Sequence, residues 1–112
     1  MTFTAHRDCF VLDRLPRREA WPELRFDIPQ LRYPEQLNCA GEILDKAVDE
    51  HGWGNRVAVR GPTGTLSYGE LRALANRIAR VLVEDLDVIP GNRVLLHSAN
   101  SALMWICWIQ TL

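Results

Sequence analysis

The sequence predicts an α/β fold, laid out as an extended arm, a helix, a β-hairpin, a βαβ crossover and a buried helix, and incomplete as a domain. Three observations predict it. A Ser67-x-x-Glu70 signature opens an amphipathic stretch directly after a short apolar segment. A Pro90-Gly91 turn then leads into the apolar run Val94-Leu95-Leu96. Strand, capped helix, tight turn and strand is the order of a parallel pair with a right-handed crossover. The third observation is the N-terminal stretch, residues 1–36, where prolines recur too often for regular structure.

Residues 1–36 read as an extended N-terminal arm. Pro16, Pro22, Pro29 and Pro34 each disfavour helix for themselves and for the residue before them. Between them stand Phe10, Leu15, Trp21, Leu24, Phe26, Ile28, Leu31 and Tyr33, too apolar a set for a solvated linker. The arm is therefore expected to wrap a globular body and anchor by single side chains. Residues 37–112 make up the folded part.

The first helix is expected near residues 39–51. Asn38 is a good N-cap, and Ala40, Ile43, Leu44, Ala47 and Val48 follow the three/four spacing of one buried stripe. Gly52 stands where a left-handed residue ends a helix. Glu42, Asp45, Lys46, Asp49 and Glu50 form the polar face. Val57-Ala58-Val59 and Leu66-Ser67 then flank Gly61-Pro62-Thr63-Gly64, which predicts a hairpin.

The second helix is expected over residues 68–86. Ser67 and Glu70 make a capping box, and Leu66 and Leu71 occupy the staple positions on either side of it. Leu71, Leu74, Ala75, Ile78, Ala79 and Leu82 form its buried stripe, extended by Leu86. Glu84 and Asp85 oppose the negative end of the helix dipole. Residues 93–96 read as a short buried strand. The last helix starts near Asn100 or Ser101 and holds Leu103, Met104, Trp105, Ile106, Trp108 and Ile109. Being apolar nearly all round, it is expected to be buried on most sides. The sequence stops at Leu112 inside this helix, which predicts a C-terminally truncated domain.

Bulk properties exclude several classes. With 112 residues there is room for one domain at most. A net charge of −1 and scattered arginines supply no field for nucleic acid. The three cysteines, Cys9, Cys39 and Cys107, lack metal-ligand spacing and predict reduced thiols in a cytoplasmic protein. Residues 1–20 hold no signal-type apolar run. The apolar run 102–109 falls well short of the roughly 20 residues that cross a bilayer. No membrane partner is expected, and a homo-oligomer stays open.

Several segments invite a chemical reading and each has a plainer one. Gly61-Pro62-Thr63-Gly64-Thr65 superficially resembles a phosphate loop, but such loops run from a strand into a helix N-terminus and commonly supply a lysine. A hairpin turn is the expected role. His97-Ser98-Ala99-Asn100-Ser101 lies where open α/β sheets bind ligands, and reads as a loop and cap. His51 beside Gly52 reads as support for a helix end, and His6 is isolated. Trp105 and Trp108 read as a packing face. Glu84, Asp85 and Asp87 read as a solvated helix end rather than an acid/base pair.

Thr65-Leu66-Ser67-Tyr68-Gly69-Glu70-Leu71 resembles the first core motif of the adenylate-forming enzymes: acyl-CoA synthetases, peptide-synthetase adenylation domains and luciferases. That motif is a leucine, a threonine or serine, a tyrosine, any residue, then glutamate and leucine. Ala75-Asn76-Arg77, Val88-Ile89-Pro90-Gly91-Asn92-Arg93-Val94 and the Asn100-Ser101 helix start are similar to the family in order and spacing. Trp108-Ile109-Gln110-Thr111-Leu112 looks like the approach to its second core motif. In the arm, Arg14-Leu15-Pro16-Arg17-Arg18, Trp21-Pro22-Glu23-Leu24 and Tyr33-Pro34-Glu35-Gln36-Leu37-Asn38 resemble the benzoate and 2-aminobenzoate CoA ligases.

The resemblance implies that residues 37–112 are the first part of a large adenylation domain. It implies a full-length acid–thiol ligase that joins an aromatic carboxylic acid to ATP with Mg2+, then passes the acyl group from the adenylate to coenzyme A. The family's phosphate loop, nucleotide contacts and mobile-domain lysine map to nothing here. Lys46, the only lysine, stands in the wrong context. No catalytic, cofactor-binding or metal-binding residue is assigned. Residues 1–112 alone are expected to be structural and inactive, to bind no cofactor, and to need the rest of their own chain as partner. Two alternatives are a stand-alone interaction module using the last helix, and an adenylation domain that feeds a carrier protein.

Overall fold

The helix that starts at Ser67 organises the larger of two units. In the computed structural model, which describes residues 5–62 and 64–110, one unit spans Asn38–Asp87 with Val94–Leu112 and the other spans Met1–Leu37 with Val88–Arg93. Thr63 of the expected turn, Thr111 and Leu112 of the expected motif approach, and the Ile109 side chain lie outside what is described.

Helix α1 covers residues 39–49. The Asn38 Oδ1 accepts from the Gly41 amide at 2.9 Å, the expected cap. The helix is π-wound over Gly41–Asp45 and α-helical over Lys46–Asp49. Leu44 and Ala47 are buried, whereas Ile43, expected on the same stripe, is exposed. An i→i+5 turn breaks the 3.6-residue period, so the three/four pattern no longer projects onto one face there. Gly52 follows at φ +65°, the left-handed geometry expected of it.

Strands β1 (Val57–Gly61) and β2 (Gly64–Ser67) pair antiparallel, with Val59 opposite Leu66 and Gly61 opposite Gly64. A register irregularity falls between Val57 and Val59. The strand ladder is followed by a close backbone approach, in which the Gly69 amide donates to the Gly54 carbonyl at 2.9 Å. A Cβ on Gly69 would lie 3.1 Å from that same oxygen, which favours glycine.

Helix α2 is α-helical over Tyr68–Arg80 and widens to a π turn over Val81–Asp85. Its capping box forms as expected. Glu70 N–H donates to Ser67 Oγ at 3.2 Å, and Ser67 N–H donates to Glu70 Oε2 at 2.8 Å. Leu71 and Ala75 are buried, and Leu66, Leu74 and Ile78 pack around them. Leu86 does not continue the stripe and stands 62% exposed. The cause is again local, because its amide bonds the Val81 carbonyl five residues back and leaves the helical period. Asp87 then takes φ +52°, the left-handed conformation that ends a helix.

Helix α3 (Ala102–Gln110) is opened by Ser101, whose Oγ accepts from the Met104 amide at 3.3 Å. Only part of it is covered. Ile106 is buried, while Leu103, Trp105 and Trp108 are 61%, 52% and 45% exposed. The expected burial on most sides is therefore corrected: the core cluster of Leu44, Leu71, Ala75 and Ile106 covers one face of α3.

The expected βαβ crossover is also absent among the described residues, where the sheet has two strands, both antiparallel. Residues 93–96 pair with no strand, and Leu95 is 91% exposed. A parallel strand needs a neighbouring backbone row and cover on both faces. Neither surrounds Leu95. The observed fold class is a small α/β arrangement of one hairpin and three helices.

In the smaller unit, the arm carries three single 3-10 turns at Leu12–Arg14, Arg18–Ala20 and Pro29–Leu31. None of the eight apolar side chains expected to anchor it is buried. Across residues 88–93, Ile89-Pro90-Gly91-Asn92 form the expected turn, closed by the Asn92 amide donating to the Ile89 carbonyl at 3.0 Å. Proline second and a glycine at φ +98° third is the type II pattern.

The capping box yields a paired expectation. Ser67→Ala removes one acceptor and should lower stability by about 0.5–2 kcal/mol. The check is the urea midpoint of helical circular dichroism in an osmolyte that strengthens burial. The Glu70 carboxyl is held below its usual range, first by the Ser67 amide and then by the Ser67 hydroxyl. A depressed carboxyl contributes stability above the ordinary glutamate range and loses it as pH falls through the depressed value. The acid-side loss of helix should therefore shrink in Glu70→Gln.

Candidate functional site

Among the described residues, the segments with a chemical reading make mostly local contacts. The glycine-bearing turn at residues 61–64 lies inside the hairpin and is followed by β2, not by a helix N-terminus. His97 is exposed in a stretch without regular structure. Ser98 Oγ donates to the Ala99 carbonyl, and Ser101 caps α3, so no Ser–His pair forms between them. His51 stacks on Trp53 with ring centres 5.0 Å apart, at the end of α1. Trp53 in turn sits 5.8 Å from Tyr68 and under Arg56. Glu84 pairs with Arg80 at 3.7 Å across one turn, so it has a cation rather than a carboxylate as its neighbour. Trp105 and Trp108 meet edge to face at 5.9 Å.

Charged side chains brace elements instead of converging on a cleft. Lys46 Nζ lies 2.6 Å from Glu42 Oε1, and that neighbour raises the lysine's pKa. Arg72 of α2 reaches Asp49 at 2.8 Å and Asp45 at 3.9 Å on α1. Part of the face expected to be solvated is thus a tie between helices.

The densest polar cluster lies in the smaller unit and was missed at the level of sequence. Asp8 Oδ1 accepts from the Phe10 amide at 2.9 Å, while Asp8 Oδ2 accepts from Asn92 Nδ2 at 2.9 Å and Arg93 Nη1 at 2.6 Å. The Pro90 carbonyl accepts from both the Arg7 and Asp8 amides, at 2.8 and 3.0 Å. Asn92 is pre-aimed, because its Oδ1 accepts from the Ile89 amide at 3.0 Å and turns its Nδ2 outward. The Phe10 ring carries the Arg14 and Arg93 guanidiniums at 3.7 and 4.2 Å. The Phe10 amide, then Asn92, with Arg93 adding to them, hold the Asp8 carboxyl below its usual range. Aspartate two residues before a bonded amide is a legible turn signal, but nothing local announces a partner more than 80 residues away.

A family model for AMP-binding enzymes matches residues 44–109. The matched stretch runs from the buried Leu44 of α1 through both strands and α2 into α3. The chain belongs to the AMP-binding enzyme family, and so to the adenylate-forming superfamily. No curated protein and no solved structure matches it.

Membership implies ATP use by full-length enzymes of the family. The described residues do not fit an ATP site. Helix N-termini hold phosphates through free amides, but at α2 the Tyr68, Gly69 and Glu70 amides already donate to the Arg56 and Gly54 carbonyls and the Ser67 hydroxyl. The chain's one lysine is engaged by Glu42. Among the described residues no cluster of three or more His, Cys, Asp or Glu side chains could hold a metal ion. A shallow depression of about 270 Å3 is lined by Phe26, Leu31, Arg32 and Tyr33, but its aromatic walls are themselves half exposed or more. No helix among the described residues is long and apolar enough to cross a membrane. No chemical step is assigned to these residues.

The uneven cover of α3 is measurable. Ile106→Ala should cost about 2–5 kcal/mol as a buried large-to-small change, whereas Leu103→Ser on the open face should stay within about 0.5 kcal/mol. Urea titration of the two variants, under the same stabilising conditions, checks the contrast.

Proposed function

We propose that the chain is the leading portion of an ATP-dependent acid–CoA ligase, and that residues 1–112 serve as scaffold for a catalytic centre built by further sequence. The observation that carries this reading is the mismatch between family and surface. The family match supports an adenylating domain. Within the larger unit, Leu95, Leu103, Trp105 and Trp108 stand 91%, 61%, 52% and 45% exposed, apolar groups that a finished domain covers.

In this reading, α1, the hairpin and α2 form a rigid corner. Residues 93–96 wait for strand neighbours, and the open face of α3 waits for packing. Mg2+ and coenzyme A belong to the complete enzyme, which acts in the cytoplasm. The acid is an aromatic carboxylate, a choice supported by the arm motifs around Arg14–Pro16, Trp21-Pro22 and Tyr33-Pro34. An adenylation domain that feeds a carrier protein would share the same corner and differ only in what accepts the acyl group.

A second reading is favoured by the same exposed tryptophans: a small interaction module that binds a partner through α3. The reading frame after Leu112 separates the two. A continuation into a glycine-containing segment and a Ser/Thr/Gly-rich loop supports the ligase, and a stop codon supports the module.

ATP–pyrophosphate exchange tests the proposal. Purified residues 1–112 should show none above a heat-denatured control with benzoate or 2-aminobenzoate. The full-length protein should show exchange that depends on either acid. Turnover by the 112-residue chain would overturn the scaffold role, and a preference for short aliphatic acids would overturn the aromatic assignment.

A further inference from the structure

We propose that residues 7–14 form a releasable latch on the 88–93 turn, fastened at Asp8 and able to open while the core around α2 stays folded. The latch is polar on both sides of the contact. Asp8 supplies one carboxylate to three donors, from Phe10, Asn92 and Arg93, and the Pro90 carbonyl receives two strap amides in return. The receiving side is preformed, since Asn92 is oriented by its own bond to Ile89 and the turn is closed by its own backbone bond. Gly91 is part of the seat. A Cβ there would collide with the Asp8 carbonyl, and its φ of +98° disfavours any other residue.

What makes the latch releasable is that no apolar side chain of the strap is fully buried. Phe10 and Val11 are 45% and 40% exposed and Leu12 is half-buried, so opening the strap uncovers only partly covered side chains. The Asp8–Arg93 pair is itself partly exposed, at 24% and 51% of the two side chains, and such pairs are individually weak. The core differs in kind, because Leu44, Leu71, Ala75 and Ile106 are held by exclusion of water. Opening free energies vary across a structure in this way, lowest where buried apolar area is least. The bonded positions stand 84 and 85 residues apart. Closure cost grows only slowly with loop length, so a few polar bonds suffice to shut the latch once the core has formed, and losing one set suffices to open it.

Amide hydrogen exchange, read by mass spectrometry on the 112-residue chain in stabilising osmolyte, tests this. In the unaltered chain, peptides spanning residues 5–15 and 86–93 should be protected. Asp8→Ala should speed exchange in both by about tenfold or more, the order expected from losing hydrogen bonds to a charged group. The peptide spanning 70–80 should not change. Gly91→Ala, acting from the other side, should release the same two segments. Should Asp8→Ala fold poorly, Arg93→Gln keeps the carboxylate and its other two bonds, and should release both segments by a smaller factor. Three results would overturn the latch: no protection of the strap in the unaltered chain, no effect of Asp8→Ala or Gly91→Ala on either segment, or an equal loss of protection over 70–80.

Discussion

The packing of Leu71 and Ala75 against Leu44 and Ile106 is the constraint on which the larger unit depends. Ala75 has no exposed surface, and any larger side chain there would push the neighbouring helices apart. Everything that positions the contact follows from it. The Ser67–Glu70 cap fixes where α2 begins, the hairpin delivers Leu66 beside Leu71, and the Arg72 ion pairs hold α1 in register along the polar side. Ile106 reaches the cluster from a helix whose other faces stay open. The corner is therefore well specified, while Leu95 and the outer faces of α3 stay uncovered among the described residues.

This explains a division between what was legible in the sequence and what was not. Features decided within four residues came through: the Asn38 and Ser67 caps, the left-handed Gly52, the hairpin turn, the Pro90-Gly91 turn and the Ser101 helix start. Their geometry is set by local hydrogen bonding and by glycine and proline sterics. The stripe residues came through only where the helix kept its period. Ile43 and Leu86 were misplaced because they lie in or just after π turns, which shift the phase of a three/four pattern. No residue type in 41–45 or 81–85 signals that widening.

The remaining departures have one common cause. Burial of residues 93–96 and of α3 was read from their apolarity, and apolarity tells what a segment needs rather than what lies next to it. A segment so exposed at Leu95 and a helix so exposed at Trp105 do not fully meet that need among the described residues. The Asp8 cluster is the opposite case, a contact fully made but invisible beforehand, since its partners are distant in sequence and individually unremarkable. The site question divides the same way. The capping motif lies inside the stretch that matches the AMP-binding family, and its side chains hold the start of a helix.

The central claim is that these residues build a correct corner with an incomplete core. Calorimetry of the 112-residue chain, with its association state followed by sedimentation, tests it most directly. A single core of this size gives marginal stability, and open strand edges invite self-association. The account predicts a broad, low-enthalpy transition or a chain that self-associates. A sharp, cooperative transition from a monomer, with calorimetric and van't Hoff enthalpies in agreement, would contradict it.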